Sequence, residues 1–226
     1  NFLIKLILPK TIKRGSSVIV LNPNDPVVSG ALAFGVYEKE ETAFIKSHLK
    51  KDSLFIDIGA NIGYYTALAM PVIGENGLII ALEPDPESYS YLTKTIKANK
   101  LNNVKSFKLA AAEKESEQSL FLSTDNRGDN RLYKFEMAEN TIKVNTIPVD
   151  LLLEQLIIKP ESYSVFVKID IQGAEGKAIA GMEKIILNSK ELVIVMEFWP
   201  KGLKAMNTDP ELLLNKLEGW GIQLFE

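Results

Sequence analysis

The chain has 226 residues, 26 basic and 29 acidic side chains, a formal net charge of −3 and no cysteine. This length suits one domain with a sizeable core. The net charge gives no sign of the basic surface that nucleic-acid binding requires. The lack of cysteine excludes disulfides and thiolate metal sites. No apolar run approaches the ~18 residues of a membrane-spanning helix, so we expect no membrane span. A cysteine-free chain is also compatible with the cytoplasm as its location.

The first part of the chain predicts one strand and one helix. Ser17–Leu21 has the composition of a strand and ends at the turn cluster Asn22–Pro26. The pattern of residues 37–50 predicts an amphipathic helix. His48, the only histidine, lies on the flank of this helix beside lysines, so we expect it to be solvated and uninvolved in catalysis.

A glycine-bearing loop then follows a short apolar strand. The strand is predicted at residues 54–58, the loop contains Gly59, Asn61 and Gly63, and a helix starts at the next residue. A strand, a glycine loop and a helix in this order begin a nucleotide-binding α/β unit, because free N–H groups at the helix start can meet a ligand. Asn61 stands where a dinucleotide fingerprint has its second glycine, and Asp57 would repel phosphate but suit an amine.

A second acid, Glu83, ends the next apolar run and lies twenty residues after Gly63. Such folds place the carboxylate that binds ribose hydroxyls at about this position. Asp57 and Glu83 together favour a cofactor with an amino-acid end, a ribose and a positive centre, and S-adenosylmethionine has all three. A nicotinamide-dependent oxidoreductase is disfavoured by Asn61 and the missing third glycine. A non-catalytic cofactor-binding module and a ligand-free turn are the other interpretations.

The middle of the chain predicts a helix that opens at residues 84–86, a third strand at 104–109 and a polar excursion. The three alanines at 110–112 either leave room for a flat ring or simply pack in a turn. Residues 123–131 form a polar loop between two strands, in which Asn130 and Arg131 are the candidates for recognition of a hydroxylated or anionic substrate. The alternative is a solvated hairpin tip.

The last third predicts two more core strands, at residues 163–169 and 191–196, and a sixth at 222–225. Asp150 is the predicted N-cap of a helix over residues 151–156. Ligands of open α/β sheets lie outside the carboxyl ends of the strands, which places Asp170 and Glu197 on one edge.

A carboxylate at this edge could remove a proton from an acceptor group, and the candidates for this catalytic role are Asp170, Glu175 and Glu197. For Glu175 the alternative is a favourable interaction with a helix dipole. Trp199 is a candidate for the entrance of the substrate site, and its alternative role is packing. Clustered carboxylates could instead hold a hard divalent cation. We expect no metal site.

Three segments in order resemble the FkbM family of S-adenosylmethionine-dependent methyltransferases, namely FIDIGANIGYYT (55–66), ALEPDP (81–86) and VKIDIQGAE (167–175). The resemblance implies a class I methyltransferase (Rossmann-like) three-layer α/β sandwich, with a mostly parallel central sheet and helices on both faces. It would form a single domain over 1–226, with an N-terminal extension and cap at 1–50 and a cofactor-binding core at 51–226. Methyltransferases of this class usually have one further strand at the edge of the sheet. No segment of this sequence predicts that strand, and truncation, disorder or its replacement by another segment would each explain this.

The resemblance also implies roles. The acceptor would be a hydroxyl of a sugar, glycan or secondary metabolite, with no nucleic acid as partner, and adenine would stack near Ala111. The expected cofactor-binding residues are Asp57, Gly59, Asn61, Gly63, Tyr65, Thr66, Glu83, Ala111 and Asp170. The expected substrate-binding residues are Tyr37, Glu38, Asn130, Arg131 and Trp199, of which Tyr37 and Glu38 could equally be an ordinary helix start.

Overall fold

The computed structural model of the protein describes residues 7–124 and 126–225, without the side chain of Glu139. The strands are β1 Thr11–Arg14, β2 Ser17–Val20, β3 Leu54–Ile58, β4 Leu78–Leu82, β5 Val104–Phe107, β6 Ala110–Ala111, β7 Ser116–Ser123, β8 Ala138–Ile147, β9 Ser164–Ile169 and β10 Glu191–Met196. The α-helices are α1 Pro26–Phe34, α2 Lys39–His48, α3 Tyr64–Ile73, α4 Pro86–Ala98, α5 Val149–Gln155, α6 Glu175–Ala180, α7 Glu183–Asn188, α8 Pro200–Ala205 and α9 Pro210–Gly219. Short 3₁₀ turns lie at Arg127–Asp129 and Pro160–Ser162.

The central sheet has five parallel strands in the order β10-β9-β3-β4-β5. Chain order reverses between β3 and β9, and a crevice forms outside the carboxyl ends of the strands at such a point. Both faces of β3 are buried, as expected for a parallel strand covered by helices on each side. The predicted order of core strands along the chain is therefore confirmed.

The alternation of side chains along β3 divides the core between two faces. Leu54, Ile56 and Ile58 pack with residues of α5 to α9, whereas Phe55 packs with β2, α1, α2 and α3. Asp57 points to the same face as Phe55, because side chains two residues apart in a strand share a face. The N-terminal segment thus covers the face on which Asp57 lies.

Outside the central sheet, β7 and β8 form a long antiparallel hairpin with an irregularity at Leu122–Ser123, and β6 pairs with β8 in parallel. The predicted polar excursion is the tip of this hairpin. In the described parts of the chain no helix has the length and apolarity needed to cross a bilayer.

Two predictions were wrong. Residues 222–225 form no strand and pair with none of the described strands. Asp150 lies inside α5 rather than at its N-cap, which is Pro148. Its carboxylate instead accepts hydrogen bonds from the Lys184 and Ile185 N–H groups at 2.8 and 3.0 Å. Asp150 therefore satisfies the free N–H groups at the start of α7, a helix more than thirty residues away in sequence.

Candidate active site

A cavity of about 330 Å³ opens where β3, β4 and β9 end. Small-molecule sites typically have volumes of roughly 300–1,000 Å³. The lining includes eight of the residues predicted to contact cofactor or substrate, namely Tyr37, Glu38, Gly59, Asn61, Glu83, Ala111, Asn130 and Asp170. The other predicted residues lie outside the lining, namely Asp57, Gly63, Tyr65, Thr66, Arg131, Glu175, Glu197 and Trp199.

The two loop glycines are required by packing of the chain on itself. Gly59 has a φ of +81°, and a Cβ atom there would lie 2.0 Å from the backbone oxygen of Asp170. Gly63 has a φ of +84°, and a Cβ atom there would lie 2.8 Å from Leu92 of α4. Gly59 therefore allows the ends of β3 and β9 to approach at the floor of the cavity, and Gly63 allows α3 to pack against α4.

Glu83 is held rigidly at the end of β4. Its two carboxylate oxygens accept hydrogen bonds from the N–H groups of Asn61 and Asp85, each at 2.8 Å. Burial raises the pKa of this carboxyl to about 8. Each oxygen keeps a lone pair for another donor, so Glu83 can accept hydrogen bonds from ribose hydroxyls without moving.

Asp57 lies beneath the cavity, completely buried. Its Oδ2 atom accepts a hydrogen bond from Thr66 at 2.6 Å, while Oδ1 has no hydrogen-bond partner. Burial raises the pKa of Asp57, and the positive charge of Lys168 opposes this shift. Lys168 is directly opposite Asp57 across the β3–β9 pair, so both side chains point to the same face of the sheet.

Lys168 is the cation of this region and is 2% exposed. Its ammonium group lies 2.9 Å from Asp170 and 4.9 Å from the centre of the Tyr65 ring. Burial favours the neutral amine, but the charges of Asp170, Asp57, Glu38 and Glu41 outweigh this and raise the pKa of Lys168. One buried lysine thus faces four carboxylates, which leaves negative charge for a cationic ligand.

The start of α2 connects the N-terminal cap to this cluster. Glu38 is the N-cap residue with a φ of 34°, an uncommon value for a residue with a side chain. It accepts a 2.7 Å hydrogen bond from the Tyr65 hydroxyl. Burial raises the pKa of Glu41, one turn further on, to about 7. The Tyr37 ring packs edge-on against Tyr64, and burial raises the pKa of its hydroxyl.

The predicted catalytic carboxylates have three different environments. Asp170 lines the cavity, and its oxygens accept hydrogen bonds from Lys168 and Gln172, each at 2.9 Å. Glu175 is buried, and one of its oxygens accepts from the backbone N–H groups of Ile171 and Gly173 at 3.1 Å, which fixes the loop after β9. Glu197 is exposed and lies outside the lining, where partial burial, followed by the charges of Asp170 and Glu175, raises its pKa to about 7.

Arg131 and Trp199 lie together, outside the cavity. The Arg131 guanidinium donates to Asp129 at 2.7 and 2.9 Å. It also lies 4.7 Å from the Trp199 ring, 4.3 Å from Phe135 and 5.6 Å from Tyr133. These contacts occupy the guanidinium, so it connects the β7–β8 hairpin to the corner after β10.

S-adenosylmethionine fits the groups around the cavity. Two buried polar atoms of lining residues have no partner, the Asn61 Oδ1 acceptor and the Asn130 Nδ2 donor. A buried polar group without a hydrogen bond costs roughly 1–3 kcal/mol, which a polar ligand can recover. Apolar side chains of Leu109, Ala111 and Leu120 offer a surface for a flat ring, and the excess of carboxylates suits a cation. Among residues 7–124 and 126–225, no group of three or more metal-ligating side chains is found.

The sequence patterns did not predict four residues around the site, namely Glu41, Arg127, Lys168 and Gln172. Lys168 could have been found, because a lysine inside the otherwise apolar run of β9 must have a partner for its charge. The others depend on contacts between distant segments and leave no local signal.

Comparisons with known proteins place this chain in a family. The family model described as "Methyltransferase FkbM domain" matches residues 57–221. The crystal structure of Methyltransferase FkbM from Methylobacillus flagellatus KT superposes with a TM-score of 0.50 at 17% identity, covering 97% of this chain and 52% of that one. At this identity the likeness shows the fold alone.

Two curated relatives match over shorter segments. A tRNA(Phe) (4-demethylwyosine(37)-C(7)) aminocarboxypropyltransferase of Methanocaldococcus jannaschii is 36% identical over 69 residues, 30% of this chain and 26% of the relative. A probable cobalt-precorrin-6B C(15)-methyltransferase (decarboxylating) of Sulfurisphaera tokodaii is 39% identical over 62 residues, 27% of this chain and 32% of the relative. The matches thus span about a third or less of these curated relatives. Because the family model covers residues 57–221, the predicted class I fold and S-adenosylmethionine as cofactor are confirmed, and the chain belongs to the FkbM family of methyltransferases.

Proposed function

We propose that the protein transfers a methyl group from S-adenosylmethionine to a hydroxyl oxygen of a sugar, a glycan or a secondary metabolite. The observation that carries this proposal is a pair of carboxylates at the ends of two adjacent parallel strands, Asp170 after β9 and Glu197 after β10. Glu197 donates its backbone N–H to Ile169 at 3.0 Å, and burial, followed by the charges of Asp170 and Glu175, raises the pKa of its carboxyl to about 7. A general base works best when its pKa is near the working pH.

When bound, S-adenosylmethionine supplies a methyl group on a positively charged sulfur, which an acceptor oxygen can attack. In this proposal Glu83 accepts hydrogen bonds from the ribose, and the wall at Ala111 contacts the adenine. Asp57 and its neighbouring carboxylates supply the negative potential for the ammonium and sulfonium charges. Gly59, Asn61, Gly63, Tyr65 and Thr66 shape the loop and the helix start that support them.

The remaining roles divide between two acids. Asp170 already accepts from Lys168 and Gln172, so its orientation is fixed and we assign it to holding ligand in the cavity. Glu197, which has no such fixed partners among its described contacts, takes the proton from the acceptor hydroxyl. Glu175 holds the loop between them by accepting from two backbone N–H groups.

In this proposal the acceptor approaches from the side of Tyr37 and Glu38. Asn130 forms the opposite wall, and Arg131 and Trp199, which lie together outside the cavity, support that wall. A polar, hydroxylated molecule suits these groups. The tRNA named for one relative is a weaker candidate here, because a net charge of −3 lacks the basic surface that RNA binding requires. The division into a cap at 1–50 and a core at 51–226 is part of the same proposal.

Transfer of a labelled methyl group from S-adenosylmethionine tests this function. The acceptor panel contains hydroxylated glycans, small hydroxylated metabolites, tRNA and a corrin precursor. We expect label only with the hydroxylated acceptors, in a product that behaves as a methyl ether. Label on tRNA or on the corrin would replace the proposed acceptor class.

The Glu197→Gln variant tests the base. We expect unchanged cofactor affinity and a turnover about 10²–10⁴-fold lower, with Glu218→Gln, an exposed residue of α9, as the matched control. Turnover equal to that of the control would move the role to Asp170 or Glu175. Calorimetry with S-adenosylmethionine and with NAD distinguishes the methyltransferase from the oxidoreductase.

A further inference from the structure

The tip of the β7–β8 hairpin lies over one end of the cavity. Within residues 126–130, which we call the roof loop, Asn126, Arg127, Gly128 and Asn130 all line the cavity. A Cβ atom on Gly128 would lie 3.1 Å from Val28 of α1 and 3.6 Å from the Asn61 side chain. The roof loop is therefore in contact with both α1 and the glycine loop.

The contact with Asn61 identifies which end of the cavity is covered. The Asn61 N–H group donates to Glu83, the carboxylate that we assign to the ribose. Leu120 and Leu132, which precede and follow the roof loop in the sequence, also line the cavity. The roof loop thus lies near Glu83, at the end of the cavity that we assign to the nucleoside.

Arg127 fixes this position. Its guanidinium contacts both oxygens of Asp85 at 3.2 and 3.3 Å, and it donates to Glu87 at 2.6 Å. The Asp85 side chain is 2% exposed and that of Arg127 is 20% exposed, so water screens this ion pair only partly. Asp85 is also the N-cap of α4, and its backbone N–H group donates the hydrogen bond that orients Glu83.

Two further contacts extend the same cluster to the N-terminal cap. Burial raises the pKa of Asp25, the N-cap of α1, to about 6, and the charge of Arg127 opposes this shift. Glu87 accepts hydrogen bonds from Asn22 and Asn24 at 3.1 and 3.0 Å. The positive charge of Arg127 therefore lies among three acids, Asp25 at the start of α1 and Asp85 and Glu87 at the start of α4.

We propose that Arg127 is a positioning residue for the cofactor, which holds the roof loop over the nucleoside and thereby sets how tightly an S-adenosyl ligand is retained. The proposal rests on the function proposed above, because it requires the nucleoside to lie beside Glu83. It assigns Arg127 no contact with the reacting atoms. If Arg127 instead served only to stabilise the fold, its loss would lower the melting temperature without changing ligand affinity.

Binding of S-adenosylhomocysteine, measured by calorimetry and by its dissociation rate, tests the proposal without an acceptor. In Arg127→Met we expect the dissociation constant to rise at least tenfold, mainly through faster dissociation, and in Arg127→Lys to rise less. Lys143→Met is the matched control, because Lys143 lies in the same hairpin and its ion pair with Glu117 is 3.9 Å long and exposed. We expect the control to bind like the wild type.

Glu87→Gln provides a second route if Arg127→Met does not fold, because it removes one ion-pair partner and leaves the Asp85 cap in place. We expect a smaller rise in the dissociation constant, and no further rise when Glu87→Gln is added to Arg127→Met. Wild-type affinity in Arg127→Met or, if that variant does not fold, in Glu87→Gln would overturn the proposal. Failure of the wild-type protein to bind any S-adenosyl ligand would instead refute the proposed function.

Discussion

Replacement of Lys168 by methionine tests the ion cluster beneath the cavity. Methionine has a similar length but no charge, so Asp57 and Asp170 lose the cation that lies opposite one of them and 2.9 Å from the other. Removing one partner of a buried ion pair costs about 3–5 kcal/mol, because the remaining charge is left uncompensated. We therefore expect a loss of about 3–5 kcal/mol, a large part of a typical folding free energy of about 5–15 kcal/mol.

The assay is thermal unfolding together with denaturant titration. At roughly 2 °C per kcal/mol for a chain of this length, the melting temperature should fall by about 6–10 °C. Lys50→Met is the matched control, because its ion pair with Glu191 has the same length of 2.9 Å but is 59% and 57% exposed. Exposed pairs contribute about 0–1 kcal/mol, so the control should shift by no more than about 2 °C.

The pH dependence separates charge from packing. Burial raises the pKa of Asp57 and Glu41 already in the wild type, and without the cation these acids take up protons more readily. The deficit of Lys168→Met should therefore be smaller at pH 5.5 than at pH 8. A deficit no larger than that of the control, or one that does not change with pH, would contradict the assigned role of Lys168.

The site leads to four further predictions. Above pH 8, where Glu83 is ionised, Glu83→Gln should weaken binding of S-adenosylhomocysteine about 10- to 150-fold, because hydrogen bonds to charged groups contribute about 1.5–3 kcal/mol. Calorimetry at that pH showing wild-type affinity would remove Glu83 from the ribose site. Burial raises the pKa of Glu83 to about 8 and of Glu41 and Glu197 to about 7 from 4.5, so the native state binds extra protons and the melting temperature should fall as pH rises from 6 to 8.5. Over the same range the affinity for S-adenosylmethionine relative to S-adenosylhomocysteine should rise, since only the first carries the sulfonium charge, and a constant ratio would count against an electrostatic role of these acids. Gly59→Ala should destabilise the fold by several kcal/mol, because the new Cβ atom would lie 2.0 Å from the Asp170 backbone. In the control Gly15→Ala, with a φ of +59° and nothing within 4 Å of the new Cβ atom, the cost should be only about 1–2 kcal/mol. Equal losses in denaturant titrations would show that the close approach of the Asp170 backbone does not determine the cost at Gly59.

Much of the architecture follows from local patterns. The apolar runs at 54–58, 78–82 and 191–196 predicted core strands because a strand buried on both faces needs apolar side chains throughout. The glycine loop and the acids at strand ends predicted the ligand edge and its cofactor, because parallel strands bring their carboxyl ends to one side. Segments 222–225 and 151–156 show the limit, since strand formation and helix capping both depend on a partner from elsewhere in the chain.

The sequence by itself therefore determined which segments build the sheet and which family the protein resembles, and it predicted the edge of the sheet for the ligand. Only the tertiary structure decided which distant side chains meet there. The register of β3 against β9 places Lys168 opposite Asp57, and the fold of the β7–β8 hairpin brings Arg127 to Asp85 across more than forty residues of sequence. The periodicity of the sequence determines the face on which a side chain lies, whereas strand order and loop packing determine which charged side chain lies next to it.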